Sequence, residues 1–240
     1  MSALDLVLIA LVMFVGALIQ GGVGFGMNLL AAPLFALIEP DLLPAPLLLA
    51  AVSLTVLVAR RDRAATDRRG LAWALAGRVP GTLAGALLVA SISVRGVAIA
   101  VGVAVLLAAA LNLRDLGLRP TPRTLVTAGL VSGFSGTVSS IGGPPLAVVY
   151  AHEPGPVVRG TLSMIFVIGG ALSIASLAAV GEVGRDELIA ALALQPPLLL
   201  GFALSGPLAT HLDAGRTRAA VLAVSVAGAV AVIVKQLVAP

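Results

Sequence analysis

The chain has 240 residues, of which 59% are hydrophobic and only 11% charged, with a formal net charge of +4. Soluble domains carry about 25% charged residues, so a water-soluble enzyme or binding module is excluded. The positives cluster in short loops between apolar runs, as orientation in a membrane requires, so no nucleic-acid partner is expected despite a pI of about 11.0. Cysteine is absent, which removes disulfides and thiolate metal sites.

In chain order, apolar segments fall at about 4–20, 25–38, 42–59, 71–91 and 96–113, then at about 124–138, 144–151, 160–180, 187–208 and 219–238. Runs of roughly 20 such residues are long enough to cross a bilayer. The first twenty residues lack a basic n-region and a small-residue cleavage site, and are expected to belong to the mature chain rather than to a signal peptide. The composition predicts an all-α polytopic membrane protein whose surroundings are the lipid bilayer.

Both halves follow one order. An apolar segment meets a glycine break, a short segment ends in Glu-Pro, and three full spans follow. Glu39-Pro40 and Glu153-Pro154 mark the same point, and Arg78-Val79-Pro80 matches Gln195-Pro196-Pro197, each pair about 115 residues apart. This predicts two repeats of four hydrophobic elements, 1–115 and 116–240, forming one integral membrane domain. The short segments 25–38 and 144–151 leave two arrangements open. Each completes a long broken span, or each forms a hairpin that enters and leaves by one face, which makes the repeats inverted. The loop holding Arg60, Arg61, Arg63, Arg68 and Arg69 is cytoplasmic in either case, and basic-loop counting barely discriminates. The acidic loop of Glu182, Asp186 and Glu187 opposite that basic counterpart favours inversion.

The breaks themselves read QGGVGFGMNLLAAP at 20–33 and SGTVSSIGGPP at 135–145. Stranded backbone groups at membrane depth survive only inside protein or along a wet cavity. Glycines let successive N–H groups converge on a ligand, and proline at a first helical position restarts a helix without losing a donor. Helix N-termini then point positive ends at an anion. Candidate site residues are therefore Gln20, Gly22, Gly24, Gly26 and Asn28 in the first break. Ser139, Ser140, Gly142 and Gly143 are their counterparts in the second. Close helix packing is the plainer reading of such small residues, and it suits Gly77, Gly81 and Gly85, spaced four apart.

Arg78 lies inside the span 71–91, and Gln195 holds its repeat position. An intramembrane arginine either serves an anion or snorkels to the headgroups, and both readings stand at this point. Every acidic residue and both histidines lie at predicted loops or edges, so no carboxylate relay crosses the core. Tyr150 and Trp73 are expected to be interfacial anchors. Without HExxH, a P-loop or paired acids, neither an enzyme nor a cofactor is expected.

The duplicated halves, the glycine-rich break running to Pro33 and the second-half GGPP preceded by serine and glycine resemble the TauE/SafE family of sulfite exporters, also called the toluene-sulfonate uptake permease group. In the first break Val23 and Phe25 interrupt a stretch that is richer in consecutive glycines elsewhere in that family. The resemblance implies a multi-pass permease of the bacterial inner membrane for small sulfur-containing anions such as sulfite, sulfoacetate or other organosulfonates. Alternating access around an anion held by both breaks is the expected mechanism. A passive anion channel, and more remotely a membrane-embedded enzyme or assembly factor, are the alternatives. Small-residue faces permit a homodimer.

Overall fold

A computed structural model describes residues 2–23, 26–112, 116–209 and 214–238. Among the described residues the chain forms eleven α-helices and no strand. These are α1 (Ala3–Val23), α2 (Met27–Ile38), α3 (Ala45–Asp62), α4 (Arg68–Val89), α5 (Val94–Asn112), α6 (Pro122–Ser139), α7 (Gly143–Val149), α8 (Gly155–Ala179), α9 (Arg185–Ala193), α10 (Gln195–Ala209) and α11 (Ala214–Val238). Among the described residues six stretches are long and apolar enough to cross a membrane: Ala3–Gly22, Arg68–Val89, Val94–Leu111, Gly155–Ala179, Arg185–Gly206 and Ala219–Val238. The protein is an all-α polytopic membrane protein. Helices α3 and α6 are less apolar, α3 because it ends on Arg60, Arg61 and Asp62, and α6 because glycine, serine and threonine fill much of it.

The helix starts follow local chemistry. Ser2 and Asp5 exchange side-chain hydrogen bonds ahead of α1. Asp67 accepts the Gly70 N–H at the start of α4, and Thr121 and Thr124 form a capping box before α6. The segment expected as one span at 187–208 is broken at Leu194, between α9 and α10. Pro196 and Pro197 account for the break, since neither has an N–H to donate to the preceding turn.

Glycines set the helix pairs. Helix α4 runs alongside α6 in the same direction, with Gly77, Gly81 and Gly85 facing Gly129 and Gly133. A Cβ at Gly77 would overlap the Val126 carbonyl, and one at Gly129 the Ala74 carbonyl, so backbone touches backbone along this seam. Helix α1 pairs with α10 in the same manner, Gly201 against the Phe14 carbonyl and Gly21 against Ser205.

Polar contacts sort the helix ends onto two faces. Tyr150, at the end of α7, donates to Asp67 in the basic α3–α4 loop (3.1 Å), and Arg61 donates to the Gly21 carbonyl near the end of α1 (2.6 Å). At the other face Lys235 of α11 donates to the Leu37 carbonyl near the end of α2 (2.9 Å), and Arg95 of α5 donates to the Gln236 carbonyl. Helices α1 and α2 therefore form a hairpin that opens away from the basic loop. Helices α6 and α7 form one that opens toward it.

Candidate functional site

The two hairpin tips meet inside the protein. In the first, Gly26 has φ 121°, a backbone that side-chain-bearing residues rarely adopt, and Gln20 Oε1 accepts the Met27 N–H at 3.2 Å to cap α2. In the second, Ser140 adopts the left-handed conformation (φ 61°) and Gly142 precedes α7, whose first turn holds Pro144 and Pro145. Asn28 joins the tips, its Nδ2 donating to the Ser140 carbonyl at 2.8 Å. The Ser140 hydroxyl donates to the Pro44 carbonyl at 3.1 Å, tying the second tip to the start of α3.

Arg78 enters this junction from the middle of α4, with 2% of its surface exposed. That burial overturns the snorkelling alternative, because the guanidinium ends inside the protein. Nη1 donates to the Ser132 hydroxyl at 2.7 Å, and Ser132 donates on to the Gly142 carbonyl at 2.6 Å. The guanidinium carbon lies 5.7 Å from the centre of the Phe166 ring, within cation–π range. Glycines make the room: a Cβ at Gly169 of α8 would overlap Arg78 Nε, and one at Gly142 would lie 3.3 Å from Nη1. Arg78 Nε and Asn28 Oδ1 are buried without a hydrogen-bond partner. Buried polar atoms normally have partners, so both are available to water or a ligand.

A cavity of about 70 Å³ opens at this point, lined among others by Gln20, Gly26, Asn28, Arg78, Ser140, Gly142 and Gly143. Seven of the residues singled out in the sequence thus share one space. Three of the others lie elsewhere. Ser139 donates to the Ser135 carbonyl (2.7 Å) and faces a separate apolar cavity of about 340 Å³ between α5, α6 and α7. Gln195 accepts from Ser53 (2.7 Å) and donates to the Ala191 carbonyl (3.3 Å) across the α9–α10 break. Gly22 is half-buried at the end of α1, away from the cavity wall, and Gly24 lies outside the described residues.

Three residues packed around the Arg78 side chain went unnoticed in the sequence: Ser132, Phe166 and Gly169. A serine flanked by apolar residues in a glycine-rich helix carried the one available signal, and nothing distinguished Phe166 or Gly169. No group of three or more His, Asp or Glu side chains able to hold a metal occurs among the described residues. Trp73 is 40% exposed, but Tyr150 is fully buried. The expected anchor is instead a latch on Asp67, whose backbone N–H also donates to Thr161 of α8 (2.9 Å). Burial and the Asp67 carboxylate push the Tyr150 phenol, at the loop face outside the spanning helices, above its ordinary value.

No curated protein and no solved structure matched the chain. A model of the family described as sulfite exporter TauE/SafE matches residues 8–232, a span that contains both hairpins, Arg78 and the cavity between them. Members of that family are membrane transporters rather than enzymes. With nearly the whole length accounted for, the chain belongs to the sulfite exporter TauE/SafE family.

Proposed function

We propose that the protein is a secondary transporter that moves small sulfur-containing oxyanions, such as sulfite or sulfoacetate, across the bacterial inner membrane by alternating access. The observation that carries this reading is the buried Arg78 guanidinium on a cavity shared by both hairpin tips. An oxyanion would take charge and a planar donor fork from Arg78, the second N–H of Asn28 Nδ2, which is not used on the Ser140 carbonyl, and backbone N–H groups from the glycine segments. One water needs about 10–15 Å³ measured in this way, so about 70 Å³ suits an anion of a few heavy atoms and not an arylsulfonate.

The two halves, 1–115 and 116–240, act in this reading as inverted repeats that rock against each other around the anion. What supports the inversion is the pair of hairpins opening to opposite faces and the exchange of partners, α1 with α10 and α4 with α6. The test is uptake of ³⁵S-sulfite into proteoliposomes by wild type and Gly142→Leu. A leucine there would enter the space between the Ser132 carbonyl and Arg78 Nη1. Saturable uptake that the variant loses is expected. Equal uptake by a monodisperse variant would move the site away from the second hairpin.

A further inference from the structure

Arg78 is the sole charged side chain that is buried among the described residues. Its neighbours are neutral: the Ser132 hydroxyl, the Phe166 ring and the backbone of glycine positions on α6, at the turn before α7 and on α8. Each aspartate and glutamate whose side chain is described is exposed or half-buried, and none of these pairs with the guanidinium. The charge is also held in place. Gly133 abuts the Arg78 backbone carbonyl, and a Cβ at Gly169 would already overlap its side chain, so the closely surrounded guanidinium is restrained from swinging out to water.

With 2% of its surface exposed, the uncompensated guanidinium depends for solvation on the few waters that a cavity of about 70 Å³ can hold. Alternating access requires an intermediate in which the site is closed to both sides and has little water left. In that intermediate an empty site is a desolvated cation, which is the costly case for an ion in a low-dielectric interior. A site filled by a monoanion is close to neutral, and its charge-assisted hydrogen bonds strengthen as water leaves. The loaded protein therefore crosses between its two open states with a lower electrostatic barrier than the empty one.

We propose that the protein is an anion exchanger: it reorients readily only with an anion on Arg78, so a small oxyanion leaving on one side is replaced by another entering from the other. This rests on the anion-transport reading above and adds the transport mode. Exchange of like monoanions moves no net charge. Net export needs return of the empty, positively charged protein, so it is slow and depends on the membrane potential.

Proteoliposomes loaded with ³⁵S-sulfite, with potassium and valinomycin clamping the potential at zero, test this. Efflux is followed into sulfite or into the impermeant anion gluconate. Efflux into sulfite at least tenfold faster than into gluconate is expected, with only the slower flux responding when the clamp is moved. Equal rates in the two media overturn exchange while leaving sulfite transport intact. Absence of sulfite flux in both media overturns the transport reading and this proposal with it. In Arg78→Gln, external sulfite is expected to give no acceleration of efflux over gluconate. A retained tenfold preference would overturn the assignment to Arg78.

Discussion

The Arg78 guanidinium and the Gly142 carbonyl are joined through one hydroxyl: Ser132 accepts from Nη1 at 2.7 Å and donates to the carbonyl at 2.6 Å. A charge on α4 is thereby fixed to the tip of the hairpin formed by α6 and α7. Both bonds lie where water is scarce, so neither partner can substitute solvent cheaply.

Ser132→Ala removes both bonds and leaves the carbonyl and Nη1 unpaired. An unsatisfied buried group costs about 1–3 kcal/mol, and a loss of that size at the site raises the sulfite half-saturation concentration roughly tenfold. Initial-rate measurements over a sulfite series check this. An unchanged half-saturation with a lowered melting temperature would make Ser132 a packing residue.

The α4–α6 seam predicts a different response. In Gly81→Leu the new side chain meets the Leu130 carbonyl and the helices must separate. Overpacking of this kind costs about 1–3 kcal/mol, so the detergent-solubilised variant should melt earlier and run less monodisperse on gel filtration. Gly206→Ala, where a Cβ meets nothing within 4 Å, serves as the control and should melt like wild type.

The Tyr150–Asp67 latch gives a pH signature. A phenol raised above its ordinary value of about 10 contributes stability in full below that value and loses it as pH rises through the raised one. Wild type should therefore melt above Tyr150→Phe by a constant margin between about pH 7 and 9, and the margin should shrink above about pH 10. A margin that grows with alkalinity would contradict the direction of the shift.

The hairpins were legible in the sequence because glycine and proline impose their geometry locally: QGGVGFG and SSIGGPP read as breaks whatever surrounds them. The burial of Arg78 was not, nor were Ser132 and Phe166 as its partners. In a bilayer the outward face of a helix is as apolar as the inward one, so periodicity does not report which side meets protein. Leu83 and Leu87 of α4 are about as apolar as any core residue, yet they lie at the surface, 50% and 66% exposed. Tyr150 was misjudged for a related reason. An aromatic residue with a hydroxyl suits a headgroup layer or a buried carboxylate partner equally well, and only the folded contact with Asp67 decides between them.

Gln195 shows the limit of reading one repeat from the other. Its position matches Arg78, but Pro196 and Pro197 break the span beside it, and its amide is taken up by Ser53 and the Ala191 carbonyl. The buried charge on the cavity therefore comes from one half alone.

The central claim is that the anion sits on Arg78 between the hairpin tips, and equilibrium binding tests it without requiring transport. Scintillation-proximity titration of ³⁵S-sulfite on purified protein should give saturable binding to wild type and none to a monodisperse Arg78→Gln. Undiminished binding to Arg78→Gln would contradict the account.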